Sequence, residues 1–156
     1  MGIFLALLLI GVIAGLRAMT APAAVSWAAR LGWLELGQTN LAFLGYALTP
    51  WILTALAVAE LVSDQRPSTP SRTVPVQFGT RILMGALSGA AIGAGTGTDA
   101  LGLGIVAAII GVIVGTLGGR AFRARLAAAF GSDRPAAFIE DAIAIGGAIL
   151  VLVTLL

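Results

Sequence analysis

Carboxylates, guanidiniums and hydroxyls are the whole chemical palette of this chain. It has seven acidic residues, nine basic ones that are all Arg, and no His or Cys. The first grouping is Glu60 and Asp64 with the loop that follows, from Gln65 through Arg66, Ser71 and Arg72 to Thr73. Residues four apart share one helix face, so the two acids stand together at a helix end. Pro67, Pro70 and Pro75 stiffen the loop. Its length is unusual for a connection in a small protein, where such loops are functional or disordered. Arg66 and Arg72 with Ser71 suit a phosphate or carboxylate, which a guanidinium grips in a bidentate fork. The plainer reading is basic anchoring at a membrane face, with Glu60 paired to a nearby Arg.

The second grouping is Glu140-Asp141, two turns into an apolar segment. Carboxylates there are costly and face protein or a water-filled cavity. Adjacent residues point about 100° apart on a helix, so one acid faces the bundle and the other the headgroups. Arg81 or Arg120 is the expected partner, and a cation or proton site is the alternative. The third grouping is Arg17, followed by Thr20-Ala21-Pro22. Either Arg17 snorkels to the interface, or a helix restarting there offers free N–H groups for an anion beside it. Asp133 and Arg134 complete the set. Ser132-Asp133-Arg134-Pro135 echoes Ser63-Asp64-Gln65-Arg66-Pro67, as a parallel duplication of 12–73 and 80–141 would produce.

The elements that must hold these groups are membrane helices. Of 156 residues 59% are hydrophobic and 10% charged, too apolar for a soluble domain of this size. Without His, Cys or Lys there is no zinc or haem ligation, thiol nucleophile, Schiff base or Ser-His-Asp triad. No cofactor, resident metal or nucleic-acid partner is expected. The fold expected is all-α: one polytopic transmembrane domain over 1–156, with five spans and one short interfacial helix. The spans run over 2–19, 41–62, 81–97, 101–118 and 135–156. The segment 23–34 is a kinked continuation of the first span or an interfacial piece. Pro50 kinks the second span, and 121–130 lies on the surface with Arg120, Arg123 and Arg125 among anionic headgroups. Reading 2–16 as a cleaved signal is disfavoured, because Arg17 follows the apolar run rather than preceding it.

Arginine asymmetry orients the chain. Seven of the nine fall in 63–81 and 119–135, which places those connections on the cytoplasmic side of the membrane. Five spans then put the N-terminus inside and the C-terminus in the periplasm, with Trp27, Trp33, Tyr46 and Trp51 toward the outer side. Gly85, Gly89 and Gly93 face Gly104, Ala108, Gly111, Gly115 and Gly119 at helical spacing. Such small residues serve hairpin packing or a subunit seam, and so small a bundle suggests a homo-oligomer.

Three stretches, GLRAMTAPAAVSWAA, AELVSDQRPSTPSRT and GSDRPAAFIEDAIAIGGA, resemble a family of small bacterial integral-membrane proteins of unknown function, the domain of unknown function numbered four-one-two-six. That resemblance spans nearly the whole chain, implies the membrane fold and brings no mechanism. Locally, Glu60-x-x-x-Asp64 followed by Pro70-Ser71-Arg72-Thr73 is similar to the acidic and Ser-Arg motifs of undecaprenyl-diphosphate phosphatases. This likeness implies phosphate chemistry on a lipid at the cytoplasmic face. The phosphatidic-acid phosphatase type is excluded, since it needs His. The whole-chain resemblance also implies a bacterial inner membrane as the location, and three functions follow as expectations. The first is a homo-oligomeric transporter or channel for a small or anionic solute. The others are an enzyme or binder of a phosphorylated isoprenoid-type lipid, and an accessory membrane subunit.

Overall fold

A computed structural model describes residues 2–65, 71–96 and 100–155. Arg66 lies outside the described residues. Among them the fold is all-α: α1 (Ile3–Leu16), α2 (Thr20–Arg30), α3 (Thr49–Ser63), α4 (Pro75–Gly95), α5 (Leu101–Phe130) and α6 (Asp133–Leu155), with a short 3-10 turn, Ala42–Gly45, before α3. Two helical segments, Leu101–Phe130 and Asp133–Thr154, are long and apolar enough to cross a membrane.

α1 is apolar on every side, as a helix surrounded by others must be, and Leu7, Ile10 and Ala14 are fully buried. It stops where Arg17 turns extended, at φ −140° and ψ 112°. α2 restarts at Thr20 with Pro22 in its first turn, where a missing N–H costs nothing. The restart is therefore as expected, but its direction is not. Arg17 reaches Asp141 and Ile13 packs on Gly147, so α1 runs antiparallel to α6. Thr20 shares a cavity with Ile145, whereas Gly32 and Trp33 share one with Leu152 and Val153, so α2 runs alongside α6. The break folds the chain back on itself. It neither kinks a span nor lays 23–34 along a surface.

Other boundaries shift for local reasons. Pro50 is in the first turn of α3 rather than in mid-span, so it starts a helix instead of kinking one. α4 begins at Pro75, which carries Arg81 two turns into it. Residues 121–130 are no separate interfacial helix: α5 is continuous for 30 residues and ends at Gly131, left-handed at φ 64°. That glycine is the expected stop.

Glycines set the helix spacing. A Cβ at Gly89 would strike the Gly104 carbonyl, and one at Gly93 the Ala100 carbonyl, so α4 and α5 touch backbone to backbone. The rest of the α5 series faces elsewhere: Gly111 abuts Leu8, Gly115 abuts Val12 and Gly119 abuts Leu16, across a parallel contact with α1. Gly11 and Gly15 answer from α1. Both seams are taken up by helix packing inside one chain.

Following these contacts, α1, α3 and α5 run toward one end of the bundle, and α2, α4 and α6 run away from it. The described N- and C-terminal ends therefore both lie at that other end of the bundle. Outside, Leu83, Val106, Val114, Ile149, Leu150 and Val153 are exposed, while Arg17, Arg81 and Glu140 are among the most buried side chains. The interior is otherwise apolar, so the unusual features are these few buried ionisable groups and the many large apolar side chains left outside.

Candidate functional site

The end toward which α1 runs holds an ion-pair network drawn from almost every element. Arg17 is its hub and is 0% exposed. Its Nε donates to Asp141 Oδ1 at 2.6 Å and its Nη1 donates to Asp64 Oδ2. Its Nη2 lies 3.4 Å from Glu140 Oε2. Arg72 comes from the loop before α4 and forks Glu140, with Nη2 to Oε2 at 2.6 Å and Nη1 to Oε1. Arg123 closes the rim. It donates to both oxygens of Asp133 at 2.9 and 2.6 Å and to the Asp64 carbonyl at 3.1 Å, and stands 3.6 Å from Glu140.

The break between α1 and α2 is stabilised from both sides by opposite charges. A helix end leaves carbonyls unsatisfied and a helix start leaves N–H groups unsatisfied, with partial negative and positive charge respectively. Arg81 Nη1 donates to the Gly15 and Leu16 carbonyls at 3.0 and 2.9 Å, and the Thr116 hydroxyl reaches Gly15 at 3.3 Å. Glu60 accepts the Ala18 and Met19 N–H groups, both at 2.8 Å. Arg81 and Glu60 also face one another at 3.7 Å. The anion expected at the helix restart is thus the chain's own carboxylate.

Several expectations are corrected by this geometry. Arg17 and Glu60, assigned to opposite ends, are neighbours because the chain folds back at residue 17. Glu140 pairs with Arg72, Arg17 and Arg123, neither with Arg81 nor with Arg120, which is exposed. Asp141 is buried as well, rather than facing headgroups. The angle between adjacent acids lets Glu140 reach the α5 side while Asp141 meets Arg17. Ser71 is exposed and, among the described residues, hydrogen-bonds Thr73, at 3.0 Å between hydroxyls and through the Thr73 N–H. Arg134 is exposed and outside the network. The two Ser-Asp motifs meet at Arg123, although one closes α3 and the other opens α6.

Sequence reasoning missed Arg123 and Thr116. Arg123 looked like one of three headgroup arginines, and only the continuity of α5 turns it inward. Gly119 was read as packing alone, yet a Cβ there would come within 3.0 Å of Glu140 Oε1 and 3.2 Å of Arg72 Nη1. Its bare backbone makes room for the Arg72–Glu140 fork.

Among the described residues no group of acids is arranged to hold a metal ion. Four guanidiniums meet five carboxylates in this network, and solvent reaches it mainly at Asp133, whose side chain is 58% exposed, while Arg17 and Glu140 are fully covered. Glu60→Ala orphans two part-buried N–H groups and one face of Arg81, so we expect a loss of about 2 kcal/mol. Glu60→Gln keeps an acceptor and should cost about half as much. Thermal denaturation in detergent checks the order, and equal losses would mean that Glu60 caps nothing. Comparison with protein-family models, with curated proteins and with solved structures finds no match at the level of significance applied.

Proposed function

We propose that this chain is a multipass inner-membrane protein of the small bacterial family it resembles. In this reading it carries a small solute through its bundle, with the ion-pair network as the closed gate at the cytoplasmic end. The observation carrying this reading is the convergence of Arg17, Glu60, Asp64, Arg72, Arg81, Glu140 and Asp141 on one largely buried cluster. Buried ion pairs stabilise a fold no better than well-packed apolar groups. Ionisable groups at such depth mark pathways and relays. Arg72 supports the gating role, because a loop rather than a helix delivers it and its pair with Glu140 can part without unravelling a helix.

The phosphorylated-lipid reading has less support. Asp64 and Arg72 are already engaged by buried partners, and Ser71 is exposed and hydrogen-bonded to Thr73. Assembly as a homo-oligomer would use the exposed apolar flanks, since both glycine seams are internal.

Purified protein in liposomes tests the proposal. Wild-type vesicles should release a small solute faster than protein-free vesicles, and Arg72→Ala should raise that rate several-fold. Flux indistinguishable from empty vesicles, in wild type and in Arg17→Ala/Glu140→Ala alike, sinks it. Orientation is tested separately. Arginine counting places the network end in the cytoplasm, so reporters fused at both termini should signal from the periplasm and one near residue 128 from the cytoplasm. Termini on opposite sides would contradict the fold-back at Arg17.

A further inference from the structure

A pocket of about 430 Å³ opens at the far end of α2, away from the ion-pair network. That volume is within the range of small-molecule sites, roughly 300–1,000 Å³. Arg30, Glu35 and Tyr46 line it, and all three are exposed. Arg30 is the last residue of α2, and Glu35 follows beyond Gly32, whose φ of 76° turns the chain. Leu34 and Leu36, on either side of Glu35, are buried, and Gly95 leaves room for both. Anchoring both neighbours fixes the backbone that carries Glu35. The facing wall is fixed as well: the Ser26 hydroxyl donates to the Leu44 carbonyl, and a Cβ at Gly45 would lie 3.5 Å from Ala29.

The end of α2 does not use these charges. The Trp27, Ala28 and Ala29 carbonyls already accept N–H groups from residues 31–34. Among the described residues no hydrogen bond or ion pair engages the Arg30 or Glu35 side chain, and none joins the two. One charge of each sign therefore stands unpaired at a single pocket, unlike the paired charges of the network.

We propose that this pocket binds a small zwitterion of the amino-acid class, its carboxylate on Arg30 and its ammonium on Glu35. A simple anion would be drawn to Arg30 but repelled by Glu35, and a simple cation the reverse. A molecule with both signs a few bonds apart satisfies both side chains through charge-assisted hydrogen bonds. The exposed pair that Arg30 and Glu35 could form with each other is worth little, so it competes weakly. The Tyr46 hydroxyl adds one donor and an acceptor. An ethanolamine-phosphate headgroup presents the same pairing of charges, and free probes separate the two sources. The site gives the solute of the transport reading its class and rests on that reading for its role, at the mouth opposite the network.

Tyr46 is the only tyrosine in the chain, so labelling with meta-fluorotyrosine places a single fluorine resonance at the pocket. Labelled protein in lipid-free detergent is titrated with L-alanine, propionate, ethylamine and O-phosphoethanolamine. L-Alanine should shift the resonance saturably, and propionate or ethylamine should need about tenfold higher concentration. Arg30→Gln and Glu35→Gln should each weaken the L-alanine response by a similar factor, and both positions are exposed enough for the fold to survive. Arg120→Gln, exposed at the other end of the bundle, should leave the response unchanged. A resonance that no probe moves, or an L-alanine response equal in wild type and both pocket variants, overturns the site. Saturation by O-phosphoethanolamine at lower concentration than L-alanine overturns the solute and assigns the pocket to a headgroup. Saturable L-alanine binding with liposomes that leak no faster than empty ones keeps the pocket and removes the transport reading. Flux without any fluorine shift removes the pocket alone.

Discussion

Arg17→Ala should cost more stability than any other single change in the network, about 3–5 kcal/mol. The loss comes less from the missing attraction than from what stays behind: Asp141 and Asp64 lose their closest guanidinium, and Asp141 remains buried. The expected result is a chain that accumulates poorly and melts far below wild type in detergent, by circular dichroism or thermal-shift chromatography. Compensation separates charge from packing. Arg17→Met/Asp141→Asn removes one partner of each sign while keeping side-chain bulk, so it should be more stable than Arg17→Met alone by roughly 1–3 kcal/mol. Additive losses in the double variant would mean that Arg17 and Asp141 are not coupled.

Gly115→Leu should be as damaging, whereas Gly118→Leu, one turn away on the same helix, should be nearly silent. A Cβ at Gly115 collides with the Val12 carbonyl, and backbone cannot step aside as a side chain can. Overpacking of an ordinary core costs about 1–3 kcal/mol, and a clash with a fixed helix belongs at or above the top of that range. Gly118 is exposed with nothing within 4 Å of its Cβ position. Gly89→Leu should behave like Gly115→Leu, through the Gly104 carbonyl. Detergent-stable yield reads the contrast directly. Similar yields for positions 115 and 118 would refute the parallel packing of α1 on α5.

Much of this molecule is legible in its residues. The apolar runs, Pro22 at the restart and Gly131 as a stop announce helices and most of their limits. The unusual sites also show themselves: Glu60 with Asp64, Glu140 with Asp141, Arg17 at a break, and glycines at helical spacing. Such residues disturb an apolar sequence and stand out for that reason. Illegible are the features that depend on partners distant in the chain. Gly118-Gly119 reads as an interruption, since each glycine costs a helix about 1 kcal/mol. Packing on Leu16 and room for the Arg72–Glu140 fork hold α5 continuous through it. Pro50 looks the same to a sequence reading whether it kinks a span or begins one.

What the sequence determined by itself is composition-driven: helical segments, small-residue faces, and a few ionisable groups set in apolar surroundings. The tertiary structure decided the direction of the chain after Arg17, and with it which charges meet. Helix periodicity fixes the face a residue occupies but says nothing about which end of the bundle that face reaches. Only the fold-back, held by Arg81 on the last carbonyls of α1 and Glu60 on the first N–H groups beyond the break, brings residues 17, 64, 72, 123 and 140 within reach of one another.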